Sequence, residues 1–434
     1  MRLLLISIYF ISVFLSVCFA KLSVGLPVRS IVLIAQVIFL FLLWPRDVIA
    51  FLRGHIGLML FFAAFGAIGL TMSILNGIDL QTGLQFFIET IIQPVLAVIA
   101  TCVLITLVGV RAVATVFIGL TLLSGLFALV QAAGFEPAWT IREIIAGIQS
   151  ETARAKYLIS IGDKAMGLSL TPMSLAYQLM SALVMGVILV RANIMRLSHF
   201  NMLGSLILLI SFSTEIRSFI LGVLVSLLIA NLSHGQRSRM YTLLGILVAT
   251  IFLPIILSGE IGEARVVNVD DGSAVGRIVL VKYGLNLARD NPLGFGWGFD
   301  TRDHFWLYWT ELMTFQNPHA VYSHALHNYF LNVYLTYGFT GAVILGISFV
   351  SNPGLFMTVL FIFSGYFVNA VFHNAGVLNG DINFWYAYSV FIYLNGEGAF
   401  ATRAQSVLKQ SPTEIYRSYV SGTTPSRSLR IIHD

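Results

Sequence analysis

The sequence predicts an all-α polytopic membrane protein of about twelve transmembrane helices. Three observations carry that expectation. Of the 434 residues, 57% are hydrophobic and only 10% are charged, where a soluble domain carries about 25% charged residues. The mean hydropathy of +0.87 places the chain in the membrane class before any motif is read. Apolar runs able to cross about 30 Å of hydrocarbon recur along the whole chain.

The runs lie near 3–20, 28–45, 57–75, 85–108, 112–134, 166–190, 200–214, 217–232, 240–258, 328–350, 353–372 and 383–400. Arg2 followed by a run ending Val17-Cys18-Phe19-Ala20 has the outline of a signal peptide. The many later spans favour an uncleaved first span. The seventh and eighth runs are short and divided only by Thr214-Glu215-Ile216-Arg217. Lys and Arg collect in alternate joints, at Arg46, Arg53, Arg111, Arg191, Arg196, Arg237 and Arg239. That bias puts both termini in the cytoplasm and two longer loops outside, a shorter one at 135–165 and a large one at 258–327. Glu143, Glu151, Arg154 and Lys156 have helix-compatible spacing in the first loop; Trp297, Phe299, Phe305, Trp306, Tyr308 and Trp309 give the second an interfacial, partly helical character. Residues 1–400 then form one bundle with its two loops, the large one between helices 9 and 10 covering the site. Residues 401–434, rich in Ser, Thr and Arg, form a flexible cytoplasmic tail.

Several function classes drop out. The net charge of +5 is small, and the basic residues are scattered through joints and tail. No basic stripe with interleaved aromatics is present, so no nucleic-acid partner is expected. Cys18 and Cys102 both fall inside apolar runs and read as packing residues, with no disulfide framework or zinc knuckle.

The residues able to do chemistry cluster around the large loop. Arg217 sits between two apolar runs, where a charge at mid-span costs about 2.5–3.5 kcal/mol. It is either a snorkelling anchor paired with Glu215 or a guanidinium facing an anion, which its planar fork grips with two parallel hydrogen bonds. Arg277 follows Ser273 in a helix-spaced stretch, near the helix end that favours anions; a solvated helix face explains Arg277 equally simply, and is the better reading for Lys282 and Arg289 on nearby faces. Asn291-Pro292-Leu293-Gly294-Phe295-Gly296-Trp297-Gly298 reads as a tight turn with glycines at positive φ. It lacks the Lys-Ser/Thr ending of a phosphate loop. His319, His324 and His327 lie close together but lack the Glu or Cys partners of a metal site. His327 opens the tenth span, where a neutral imidazole is either a general base or an interfacial hydrogen-bonding group.

Spacing adds a resemblance. Nine residues separate His327-Asn328 from Gly338-Phe339-Thr340-Gly341, an arrangement that resembles the signature of the O-antigen ligase and O-antigen polymerase superfamily of bacterial membrane glycosyltransferases. Arg217 with Leu221 resembles the family's Arg-x-x-x-Leu element, and Arg277 followed by Pro292-Leu293-Gly294-Phe295-Gly296 its outer-loop pattern. Gly167-Leu168 and Thr171-Pro172 resemble a weaker motif, with Lys164 where Arg is common and Met173 where Asn is common. The similarity covers roughly 160–345.

The resemblance implies a GT-C-like fold and no cofactor, metal or nucleotide sugar. It implies a glycan donor on undecaprenyl diphosphate and, as acceptor, a second glycan or a lipid A core. His327 would be the catalytic base, with Arg217 and Arg277 holding the diphosphate. His324, Asn328, Glu215 and Arg289 are the candidate supporting residues. The setting would be the bilayer of the bacterial inner membrane, the site on the periplasmic face, and the partners a chain-length regulator or a flippase. A surface-polysaccharide polymerase is preferred, with ligase as the alternative. A transporter or flippase for a lipid-linked glycan is a further one, although only the break at 214–217 hints at it and no related half is visible. A membrane scaffold leaves the charged groups without a task.

Overall fold

The computed structural model describes residues 1–24, 26–160, 164–232, 272–314, 319–323, 326–374, 376–378 and 380–397. The expected ninth span at 240–258, the tail at 401–434, the start of the large loop at 258–271 and His324 lie outside the described residues.

The described chain is almost entirely helical, as it must be where lipid offers backbone groups no partner. In order come α1 (Arg2–Cys18), a two-stranded antiparallel hairpin pairing Ser23 with Pro27, α2 (Val28–Leu43), α3 (Pro45–Gly54) and α4 (Ile56–Leu75). Next are α5 (Leu80–Phe87), a π-turn (Ile88–Ile92), α6 (Gln93–Val108), α7 (Val110–Ala132), α8 (Glu136–Gln149) and α9 (Glu151–Ser160). Then come α10 (Pro172–Arg191), α11 (Leu197–Ser213), α12 (Arg217–Leu232), α13 (Gly272–Asp290) and a 3-10 turn (Thr301–Tyr308). The last are α14 (Trp309–Leu312), α15 (Ala320–Ser323), α16 (Tyr329–Ser351), α17 (Pro353–Ile362), α18 (Ser364–Val371) and α19 (Ile382–Gly396).

Among the described residues, five helices are long and apolar enough to span a bilayer: α4, the continuous Leu80–Val108, α7, α10 and α16. The number is seven if each of two bent pairs is one span. The pairs are α2–α3, bent by 110°, and α17–α18, bent by 70°. The apolar helices α1, α11 and α12 are shorter. Pro45 breaks the first pair, because it disfavours helical backbone at Trp44. In the second, the break falls at Phe363, beside the Ser364-Gly365 pair, a common site of kinks.

The sixth apolar run behaves differently from its hydropathy. The helix starts only at Pro172, capped by Thr171 through Ser174 N at 3.1 Å. Residues 165–170 instead run as irregular chain, buried from Ala165 to Ser169. Gln131 Oε1 accepts from Met166 N (3.0 Å) and Gly167 N (2.8 Å), and Ser124 Oγ from Leu168 N (3.1 Å). Side chains of α7 thus supply the partners that a helix would have supplied internally.

The centre is α10, buried continuously from Leu175 to Val190. It packs against α7, α11, α12, α18 and α19. A helix apolar all round belongs in such a place. By contrast, α4 and α16 keep much of their apolar surface outward, toward lipid. At one end of the bundle a second small core forms from Val279, Tyr283 and Leu287 of α13 with Phe295, Leu312, Val321, Leu326 and Leu335.

The glycine-rich loop locks this second core onto the bundle. Gly338 interrupts α16 with φ 60° and ψ −160°. In a regular helix Phe339 N–H would reach the Leu335 carbonyl. Instead it donates to Pro292 O at 2.7 Å, and Phe295 N–H takes Leu335 O at 2.7 Å. Gly296 N–H likewise takes Thr336 O at 3.0 Å. The loop therefore completes the hydrogen bonding of the kinked helix. A Cβ on Gly338 would lie 2.1 Å from the Leu293 carbonyl carbon, so only glycine fits. Gly338→Ala is expected to cost about 2–4 kcal/mol. Melting of the purified protein in detergent checks this, and an unchanged midpoint would show that the loop can move aside.

Candidate active site

Three segments far apart in the chain meet at the end of the bundle capped by that loop. The first is the break between α11 and α12. Glu215 takes φ 55° and reverses the chain, so the interruption of the apolar pattern is a tight turn. Arg217 is the exposed first residue of α12. Its neighbour Ser218 is buried, donates to Asn369 Oδ1 at 3.0 Å, and lies 2.7 Å from His373 Nε2. With its single hydrogen given to Asn369, the hydroxyl accepts from Nε2–H of His373.

The second segment is α13, where half-buried Arg277 lies with its guanidinium 5.9 Å from the Phe372 ring centroid, within cation–π range. The third is the extended stretch before α16, which carries half-buried His327. Asn328 caps α16, its Oδ1 accepting from Leu331 N at 3.0 Å.

His373 joins the three. It follows α18 directly and is buried. Burial, then the charges of Arg277 and His327, push its pKa down to about 3. Both charges bear on this one imidazole, and Ser218 ties it to the first turn of α12. At neutral pH His373 is uncharged, and its Nδ1 has no hydrogen-bond partner among the described residues. The arrangement gathers the Arg277 guanidinium and two imidazoles beside the turn that carries Arg217, suited to an anion beside a group that sheds a proton.

The other candidates divide. Glu215 shapes the turn before Arg217, and Asn328 is a helix cap. Arg289 stands twelve residues after Arg277, about 18 Å along the helix axis. It pairs with Asp290 at 2.8 Å, and Asp290 also accepts from Tyr308 Oη at 2.7 Å, so the structure does not bring Arg289 into the cluster. Sequence reasoning missed His373, Ser218 and Phe372. The available signal was the pair His373-Asn374, a polar break directly after an apolar run.

Residues 200–346 match the family model described as O-antigen ligase. This segment belongs to the O-antigen ligase and polymerase superfamily. The ligase-family match begins in α11 and ends in α16, so it takes in Arg217, Arg277, His327 and Gly338, while His373 lies beyond it. No curated protein matches the chain. The ligase family and the apolar span-length helices together make this a multi-pass membrane protein.

Proposed function

We propose that the protein is an inverting glycosyltransferase of the bacterial inner membrane, moving a glycan from undecaprenyl diphosphate to an acceptor hydroxyl on the periplasmic side. The observation that carries this is the meeting of Arg277, His327 and the Arg217–Ser218 turn around His373. Arg217 and Arg277 grip the diphosphate. His327 takes the proton of the acceptor hydroxyl as the new O–C1 bond forms. The C1–O bond to the diphosphate breaks on the opposite face of the sugar, and the lipid diphosphate leaves with its charge held by the arginines. The leaving group is already a good one, so positioning and anion stabilisation supply most of the catalysis.

The preferred acceptor is a further lipid-linked glycan, which makes the enzyme a polysaccharide polymerase; the family description favours the ligase reading, with a terminal acceptor such as lipid A core. The transporter reading gains no support from the two bent pairs. They join unlike elements, a charged amphipathic α3 in one case and the apolar α17–α18 in the other, where a transporter would show related halves.

Deletion in the native host, followed by profiling of surface glycans, tests the proposal. Loss of long chains with single repeats still attached is expected for a polymerase. Loss of all attachment identifies a ligase, and an unchanged profile overturns glycan transfer altogether.

A further inference from the structure

Beside the cluster lies an open cleft of about 350 Å³, at the small end of the range for ligand pockets. Its floor is the glycine-rich loop, held by Trp297 N–H to Ser73 Oγ (2.7 Å) and by Trp297 Nε1–H to Tyr337 Oη (3.0 Å). One wall carries exposed Phe86 from α5. Another carries Asp300 and Arg302, whose ion pair is fixed by Arg302 Nε at 2.9 and 3.0 Å from the two carboxylate oxygens. A third carries Asn332 of α16, which donates to Leu326 O at 3.0 Å, and exposed Asn374. Asn332 Oδ1 takes up no hydrogen bond among the described residues. A flat apolar ring bordered by planar amides and a paired carboxylate matches a pyranose, which offers a C–H face and a rim of hydroxyls.

The position of the cleft says which sugar. Leu326 and Asn374 line it, and they are the chain neighbours of His327 and His373, about 3.8 Å away from Cα to Cα. Neither Arg217 nor Arg277 lines it. The donor sugar is bonded to the diphosphate and so sits by the arginines. In-line displacement brings the attacking hydroxyl from the far side, past the base.

We infer that this cleft is the acceptor subsite and seats the pyranose that carries the attacking hydroxyl. The inference rests on the glycosyltransferase reading for the word acceptor, but the cleft's affinity for sugar can be measured without turnover. The probe is the repeat-unit oligosaccharide released from the host's own surface glycan by mild acid. It is titrated into purified full-length protein in detergent, followed by tryptophan fluorescence, since Trp297 lines the cleft. Phe86→Ala and Asn374→Ala change exposed side chains, and the melting midpoint of each variant is measured alongside its binding. Each is expected to weaken oligosaccharide binding at least tenfold, to raise the acceptor KM by a similar factor with kcat within about twofold, and to leave undecaprenyl diphosphate binding unchanged. Equal oligosaccharide binding by wild type and both variants overturns the assignment, as does no binding by wild type. A raised donor KM with an unchanged acceptor KM assigns the cleft to the donor instead and also overturns it. Binding that these variants lose, in a protein that transfers no glycan, keeps the sugar subsite and removes the proposed reaction.

Discussion

His327→Ala is expected to lower glycan transfer by roughly 10²–10⁴-fold, the usual contribution of a positioned general base. The protein should remain in the membrane at its normal level. His327 is only half-buried and precedes the helix cap at Asn328, so its removal leaves the hydrogen bonds of α16 in place. The neighbouring imidazole cannot take over. His373 is pushed down to about 3, so it is too weak a base at neutral pH, and its Nε2 is engaged with Ser218. Transfer measured with purified variant and lipid-linked donor decides the matter. A rate equal to wild type would remove His327 from the reaction.

Arg217→Lys is expected to cost about 10²–10³ in kcat, the scale seen when one preorganised donor to a developing anion is lost. Lysine keeps the charge but not the planar fork. Arg217 also opens α12, whose first backbone N–H groups lack partners within the helix and favour an anion at the same place. In the proposed reaction the side chain and the helix end would act on one charge. Full activity of Arg217→Lys, with unchanged donor KM, would reduce the residue to a membrane anchor.

The hydropathy of the chain made its helices legible, because an apolar run in lipid has almost no other way to satisfy its backbone. It did not show where the backbone would be satisfied from outside. Residues 165–170 look like the start of a span, yet they hydrogen-bond to Gln131 and Ser124 of α7, a pairing no local pattern announces. The turn at Glu215 was visible as three polar residues, Thr214, Glu215 and Arg217, between apolar runs, and the bend after Trp44 was marked by Pro45. The candidate site was legible where its proposed residues stand in spaced motifs, as for Arg217, Arg277 and His327. His373 stands alone in its segment and gains its place through a hydrogen bond to Ser218, 155 residues away. The cleft is hidden for the same reason, since its walls come from α5, the loop and α16.

The bond between Ser73 and Trp297 spans 224 residues. During synthesis at about 5–20 residues per second, the tip of α4 therefore waits roughly 10–45 s for its partner. In that interval Ser73 Oγ has only its own helix, through Gly69 O at 2.7 Å. The glycine-rich loop in turn needs the kink of α16 before its own backbone is satisfied. The candidate site is thus completed late in translation, and a nascent chain stalled before Gly338 would carry α4, α7 and α10 but not the loop's partner in α16.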